Sequence, residues 1–85
     1  MTFEEFWTVL SQSGVTPQGD QYNVTDDGRL HILSVGNQNQ FYYFSRQISE
    51  RYYLHDIPEN GETWFRRMRS SYFYNVYAHV IRETA

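Results

Sequence analysis

The sequence predicts an α+β domain: an N-terminal helix, an antiparallel sheet of three or four strands, and a long C-terminal helix packed across that sheet. Three observations carry this prediction. Apolar residues at helical spacing open the chain. Two glycine-containing dipeptides then separate three runs rich in Val, Ile, Leu, Tyr and Phe. Polar and apolar stripes at three- and four-residue spacing fill the last third. Eighty-five residues make one domain, residues 1–85.

The first helix runs from Phe3 to Ser13. Thr2 and Glu5 fit the S/T-x-x-E capping box, in which each satisfies the other's backbone donor. Phe3, Phe6, Trp7 and Leu10 follow the i, i+3, i+4, i+7 pattern of one helical face. Gly14 is placed to close the helix in a left-handed cap, and Pro17 prevents its continuation.

Strands follow at Gln21–Thr25, Arg29–Val35 and Gln38–Ser45. Asp27-Gly28 and Gly36-Asn37 read as two-residue hairpin turns between them. Residues 46–57 admit a fourth strand from Glu50 to His55 or a short helix from Arg46 to Leu54. Tyr52, Tyr53 and Leu54 favour the strand. Pro58 to Gly61 reads as a break. From Glu62 to Arg82 the polar residues Arg67, Ser71, Asn75, His79 and Arg82 trace one helical stripe, and Phe65, Met68, Tyr72, Val76 and Val80 trace another.

Two-residue turns fix a register. Ile32 then faces Phe41, His31 faces Tyr42, Val24 faces His31 and Tyr22 faces Leu33. Opposed residues share a side of a sheet. One face carries Tyr22, Val24, Leu33, Val35, Tyr42 and Phe44 with His31, and it is the larger, so it is assigned to the core. The other carries Leu30, Ile32, Phe41 and Tyr43, and is assigned to contact with a partner, since a contiguous apolar patch on a small domain marks a contact site. A slip of one residue in a turn exchanges the faces.

The aromatic content supports such a surface. There are two Trp, eight Tyr and six Phe, and twelve of these rings lie between Phe41 and Tyr77. A domain this small has room in its core for only some of them.

Charge and composition narrow the chemistry. The formal net charge is −3, and all seven basic residues are arginine. Residues 1–40 hold five acids and one base, whereas residues 41–85 hold five acids and six arginines. The chain has no cysteine, which removes disulfides, thiol nucleophiles and thiolate metal sites and fits a reducing, cytoplasmic setting. The longest apolar run is Phe41–Phe44, far short of a membrane span. The acidic start, Met1-Thr2-Phe3-Glu4-Glu5, does not read as a signal peptide. Asn23-Val24-Thr25 matches a glycosylation sequon by chance.

No pattern encodes a metal or cofactor. His31, His55 and His79 fall in three different predicted elements, and none forms H-x-x-x-H. There is no G-x-S-x-G and no glycine-rich phosphate loop. Asp26-Asp27-Gly28 is turn chemistry. His55-Asp56 is the one sequence-adjacent pair that acid–base chemistry could use. Arg66, Arg67 and Arg69 interleave with Trp64, Phe65 and Met68, as on surfaces that stack bases and meet phosphates. The acidic balance argues against nucleic acid, whose binding needs a basic field. The arginines then face an acidic protein surface or the acidic first half of a second copy.

The expected function is a non-catalytic protein-interaction module: an adaptor, inhibitor or regulator, homodimeric, without cofactor, of the kind found among phage and mobile-element accessory proteins. Two other classes stand beside it. One is a small-ligand binder with an aromatic pocket, and the other a small enzyme using His55 or His31 with nearby carboxylates.

Overall fold

The computed structural model describes residues 1–34, 40–65 and 69–85. The α+β arrangement is as expected. In chain order the elements are α1 (Phe3–Ser11), β1 (Gly14–Val15), β2 (Asp20–Val24), β3 (Leu30–Ser34), β4 (Gln40–Phe44), α2 (Arg46–Arg51), a π-helical turn (Tyr52–Asp56), α3 (Ile57–Phe65) and α4 (Ser70–Thr84). The strands form one antiparallel sheet in the order β1-β2-β3-β4.

Helix α1 begins as its sequence dictates. The Thr2 hydroxyl accepts from the Glu5 N–H, and the Glu5 carboxylate accepts from the Thr2 N–H. These bonds hold the Glu5 carboxyl below its ordinary range, the Thr2 backbone bond first. The helix stops at Ser11, two residues short of the expected end, and Ser13 takes the left-handed conformation assigned to Gly14 (φ 64°). Gly14 has another reason to be glycine. It pairs with Tyr22 across β1–β2, and a Cβ there would overlap the Tyr22 hydroxyl.

The fourth strand is therefore Gly14–Val15, not residues 50–55. That segment is helical. Ser45 caps α2 by accepting from the Ile48 N–H at 3.0 Å. Buried Ser49 and Ile57 and half-buried Tyr52 and Tyr53 lie at helical spacing, which outweighs the strand preference of the two tyrosines. The expected single helix from Glu62 to Arg82 is also divided. Helix α3 follows the π-helical turn directly, with Pro58 as its second residue. Gly61 leaves helical geometry with φ 67° and ψ −164°, and α4 starts at Ser70.

Both hairpin registers differ from expectation by one residue. Val24 faces Leu30 and Tyr22 faces Ile32. Leu30 faces Phe44, His31 faces Tyr43, Ile32 faces Tyr42 and Leu33 faces Phe41. The cause is visible in the β2–β3 turn. Asp26-Asp27-Gly28 forms a three-residue loop closed by Thr25 N–H to Arg29 O at 2.8 Å, with Gly28 at φ 82°. The Thr25 hydroxyl accepts from the Arg29 N–H at 3.1 Å. The β1–β2 turn repeats the device. Thr16 N–H reaches Asp20 O at 2.8 Å, the Thr16 hydroxyl accepts from the Asp20 N–H at 3.1 Å, and Gly19 has φ 91°. Pro17 thus serves this turn; the helix has already ended at Ser11, and β1 lies between them. Gly36-Asn37 lies outside the described residues.

The helices cover one face of the sheet. Its core joins Phe3, Phe6, Trp7 and Leu10 of α1, Tyr22, Leu30, Ile32 and Phe44 of the sheet, and Ile57, Phe73, Val76 and Val80 of the later helices. Most described rings are spent here. Phe73 meets Phe44 at 5.6 Å and Tyr52 at 5.1 Å between centroids, and Phe6 meets Tyr53 at 4.8 Å. Arg46 locks α2 to α1 by pairing with Glu4 while lying over Phe3 and Trp7.

Candidate functional site: the open face of the sheet

Strand alternation sets Gln21 and Asn23 of β2, His31 and Leu33 of β3, and Phe41 and Tyr43 of β4 on the face away from the helices. Val15, opposite Gln21, shares it. Phe41 is 61% exposed, Val15 55% and Tyr43 44%.

Of the four sheet residues assigned to a contact face, Phe41 and Tyr43 lie on this open side. Leu30 and Ile32 do not: both are fully buried against the helices. His31 and Leu33, assigned to the core, take their places outside. The reason is the three-residue turn, which moves β3 by one position and so reverses its faces.

The open face carries an ordered row of planar groups. The His31 ring stacks on Tyr43 at 4.8 Å with 17° between planes, and on Phe41 at 5.7 Å with 12°. The Arg29 guanidinium lies over Tyr43 at 4.8 Å. The row therefore runs Phe41, His31, Tyr43, Arg29, zigzagging across the β3–β4 pair. Each group is held in place. Asn23 Oδ1 lies 3.2 Å from His31 Nδ1 and, being a carbonyl oxygen, accepts a hydrogen bond from the ring N–H there. Asp27 accepts from Arg29 Nε at 3.0 Å. The Asp27 carboxyl is held below its ordinary range by the Thr25 hydroxyl first and by Arg29 second.

This geometry has chemical consequences. Stacking occupies the faces of His31 and Tyr43, so those rings present edges outward. His31 Nδ1 is committed to Asn23, and Nε2 is buried without a hydrogen-bond partner. Neither nitrogen is placed to exchange a proton with a bound molecule. Among the candidate acid–base residues, His55 is exposed in the π-helical turn, and Asp56 pairs with Arg51 at 3.5 Å.

The arginine cluster is described only at Arg69; Arg66 and Arg67 lie outside the described residues. Arg69 turns back on the sheet, donating to the Tyr43 carbonyl and lying over the Phe44 ring at 4.8 Å. It ties the start of α4 to the β4 edge, beside the open face.

Two depressions are present, the first at the β1–β2 side of the open face, where Val15, Gln21 and Asn23 line it. One, of about 450 Å³ and widely open, is lined by Ser13–Val15 and Gln21–Asn23. The other, of about 170 Å³, is a polar cleft between Gln18, Glu62, Ser71, Asn75 and Arg82. Each has a single ring in its lining, Tyr22 in the first and Tyr74 in the second, so neither is the aromatic pocket expected of a ligand binder. Among the described residues no group of three His, Asp or Glu side chains is arranged to hold a metal ion, and no helix is long and apolar enough to cross a membrane. Comparison of the chain with protein-family models, with curated proteins and with solved structures finds no match.

Proposed function

We propose that this chain is a non-catalytic protein-binding module, of the adaptor, inhibitor or regulator type, that engages its partner through the open face of the sheet. The observation that carries the reading is the row Phe41–His31–Tyr43–Arg29, left uncovered by the helices and held by Asn23 and Asp27. Ordered aromatic groups lose little freedom on binding, which is why such residues anchor interfaces. Their edge-on presentation disfavours stacked bases, because the ring faces a base would cover are already used. The net charge of −3 opposes phosphate in the same direction. A chain without cysteine is compatible with a reducing cytoplasm.

The test is affinity capture from the native host with wild type, Phe41→Ser and Tyr43→Ser, alongside thermal melts. A specific protein should be retained by wild type and lost by both variants, whose melting temperatures stay close to wild type. A partner retained undiminished by both variants would refute the open face as the contact. Tight, salt-sensitive binding of generic single-stranded DNA, lost on charge reversal at Arg66, Arg67 and Arg69, would replace the protein reading with a nucleic-acid one.

A further inference from the structure

We infer that the open face is self-complementary and that its occupant is a second copy of this chain, in a two-fold, face-to-face dimer. The inference rests on reading that face as a contact surface, and it adds the occupant and the alignment.

Charge is the first argument. The face carries no formal charge across its centre, where Gln21, Asn23, His31, Leu33, Phe41 and Tyr43 stand. Two copies of an acidic chain therefore meet there without opposing carboxylates. Among the described residues, the charges at the rim of the face are the paired Arg29 and Asp27 and, at the β4 edge, Arg69.

The ends of the row are the second argument. One end is a guanidinium already lying on Tyr43, and the other is the ring of Phe41, 61% exposed. A two-fold axis along the row would set Arg29 against its own copy, which like charge opposes. An axis across the row reverses the second copy. Each Arg29 then lies beside the Phe41 ring of the other chain, where it can reach the one face of that ring that His31 does not stack on, and does so twice by symmetry. The chain carries both halves of this contact, at opposite ends of one face, where they cannot reach each other within one copy.

Area sets the strength. An aromatic side chain carries about 150–250 Å², so Phe41 and Tyr43 at their observed exposures offer roughly 200 Å² between them. With Val15, Gln21 and Leu33 the face buries on the order of 500 Å² per copy, at the low end for a specific interface. The dimer should therefore be reversible and dependent on concentration.

Sedimentation velocity from micromolar to millimolar concentration tests this. Wild type should move from the 10.3 kDa monomer towards twice that mass. Arg29→Gln and Phe41→Ser should each weaken association roughly ten-fold or more, because each removes both symmetric contacts. An equimolar mixture of the two variants should associate more tightly than either alone, since the mixed dimer keeps one intact Arg29–Phe41 contact. A chain monomeric throughout refutes the inference, as does a dimer indifferent to both substitutions. A mixture no tighter than its components refutes the reversed alignment. If the chain stays monomeric while Phe41→Ser still loses a heterologous partner, the inference fails and the protein-binding reading stands. Indifference in both assays overturns both.

Discussion

Strand β3 supplies the sharpest test of the architecture, because adjacent residues on it have opposite fates. Ile32 is fully buried in the core, whereas Leu33 is half-buried on the open side. Truncating Ile32 to Ala deletes buried methyl groups facing Tyr22 and Tyr42 and leaves a cavity under the helices. Such changes cost about 2–5 kcal/mol. A chain of 85 residues has a total stability of only about 4–13 kcal/mol, at roughly 0.05–0.15 kcal/mol per residue. At about 4–8 °C per kcal/mol for this size, Ile32→Ala should lower Tm by roughly 10–30 °C. Leu33→Thr introduces a β-branched side chain that suits a strand on a solvated face and should change stability by no more than about 0.5–1 kcal/mol. Urea and thermal melts should be run in dilute solution, so that self-association does not add to apparent stability. If Leu33→Thr unfolds the domain while Ile32→Ala is tolerated, β3 is reversed and the three-residue turn is wrong.

Two further outcomes follow from the same coordinates. Gly14→Ala should cost about 1–3 kcal/mol, as overpacking does, because the new Cβ overlaps the Tyr22 hydroxyl; adding Tyr22→Phe, which removes that hydroxyl, should recover part of the loss in urea melts. Burial raises the Tyr22, Tyr53 and Tyr77 phenols above their ordinary value of 10.0, with Glu83 adding to Tyr22. The folded state holds these protons more tightly than the unfolded one, so their contribution to stability is intact below pH 10 and lost as pH rises through the folded values. Phenolate absorbance should show late titration in the native protein and release on unfolding; titration at the ordinary value without loss of structure would refute the burial of these hydroxyls.

The parts of the fold legible in the sequence are those with local causes. The capping box of Thr2 and Glu5 and the spacing of Phe3, Phe6, Trp7 and Leu10 depend on neighbours within two turns, and α1 forms as they require. Residues 46–57 were harder because Tyr52, Tyr53 and Leu54 suit a strand in isolation. Their helical state follows from the Ser45 cap and from rings that reach Phe44, just before that cap, and Phe6 and Phe73, far away in sequence. The hairpin registers depend on more than the central dipeptide of each turn. Asp27-Gly28 is a strong two-residue turn signal taken alone. The wider T-x-x-G-x segment, present at Thr16–Asp20 and again at Thr25–Arg29, is the better guide, since threonine at its first position bonds the backbone of its fifth in both copies. Of the open face, Phe41 and Tyr43 could be named from the sequence, while His31, Leu33 and Arg29 needed that turn.

The two register shifts also explain why β4 keeps the side expected of it while β3 does not. A one-residue shift between β2 and β3 reverses β3 relative to β2, and a second shift between β3 and β4 reverses β4 relative to β3. Together they return β4 to its original side. Tyr22, Val24, Tyr42 and Phe44 therefore face the helices under either register, and Phe41 and Tyr43 face away under either. Only the middle strand depends on the turns. That strand decides what kind of surface the open face is. With Leu30 and Ile32 outside, it would be a continuous aliphatic patch, suited to any apolar partner. With His31 and Leu33 outside, and Arg29 reaching over Tyr43, it is a directional row with a cation at one end and a ring at the other. The one-residue shift in each register thus converts a generic apolar face into a directional row, with Arg29 at one end and Phe41 at the other.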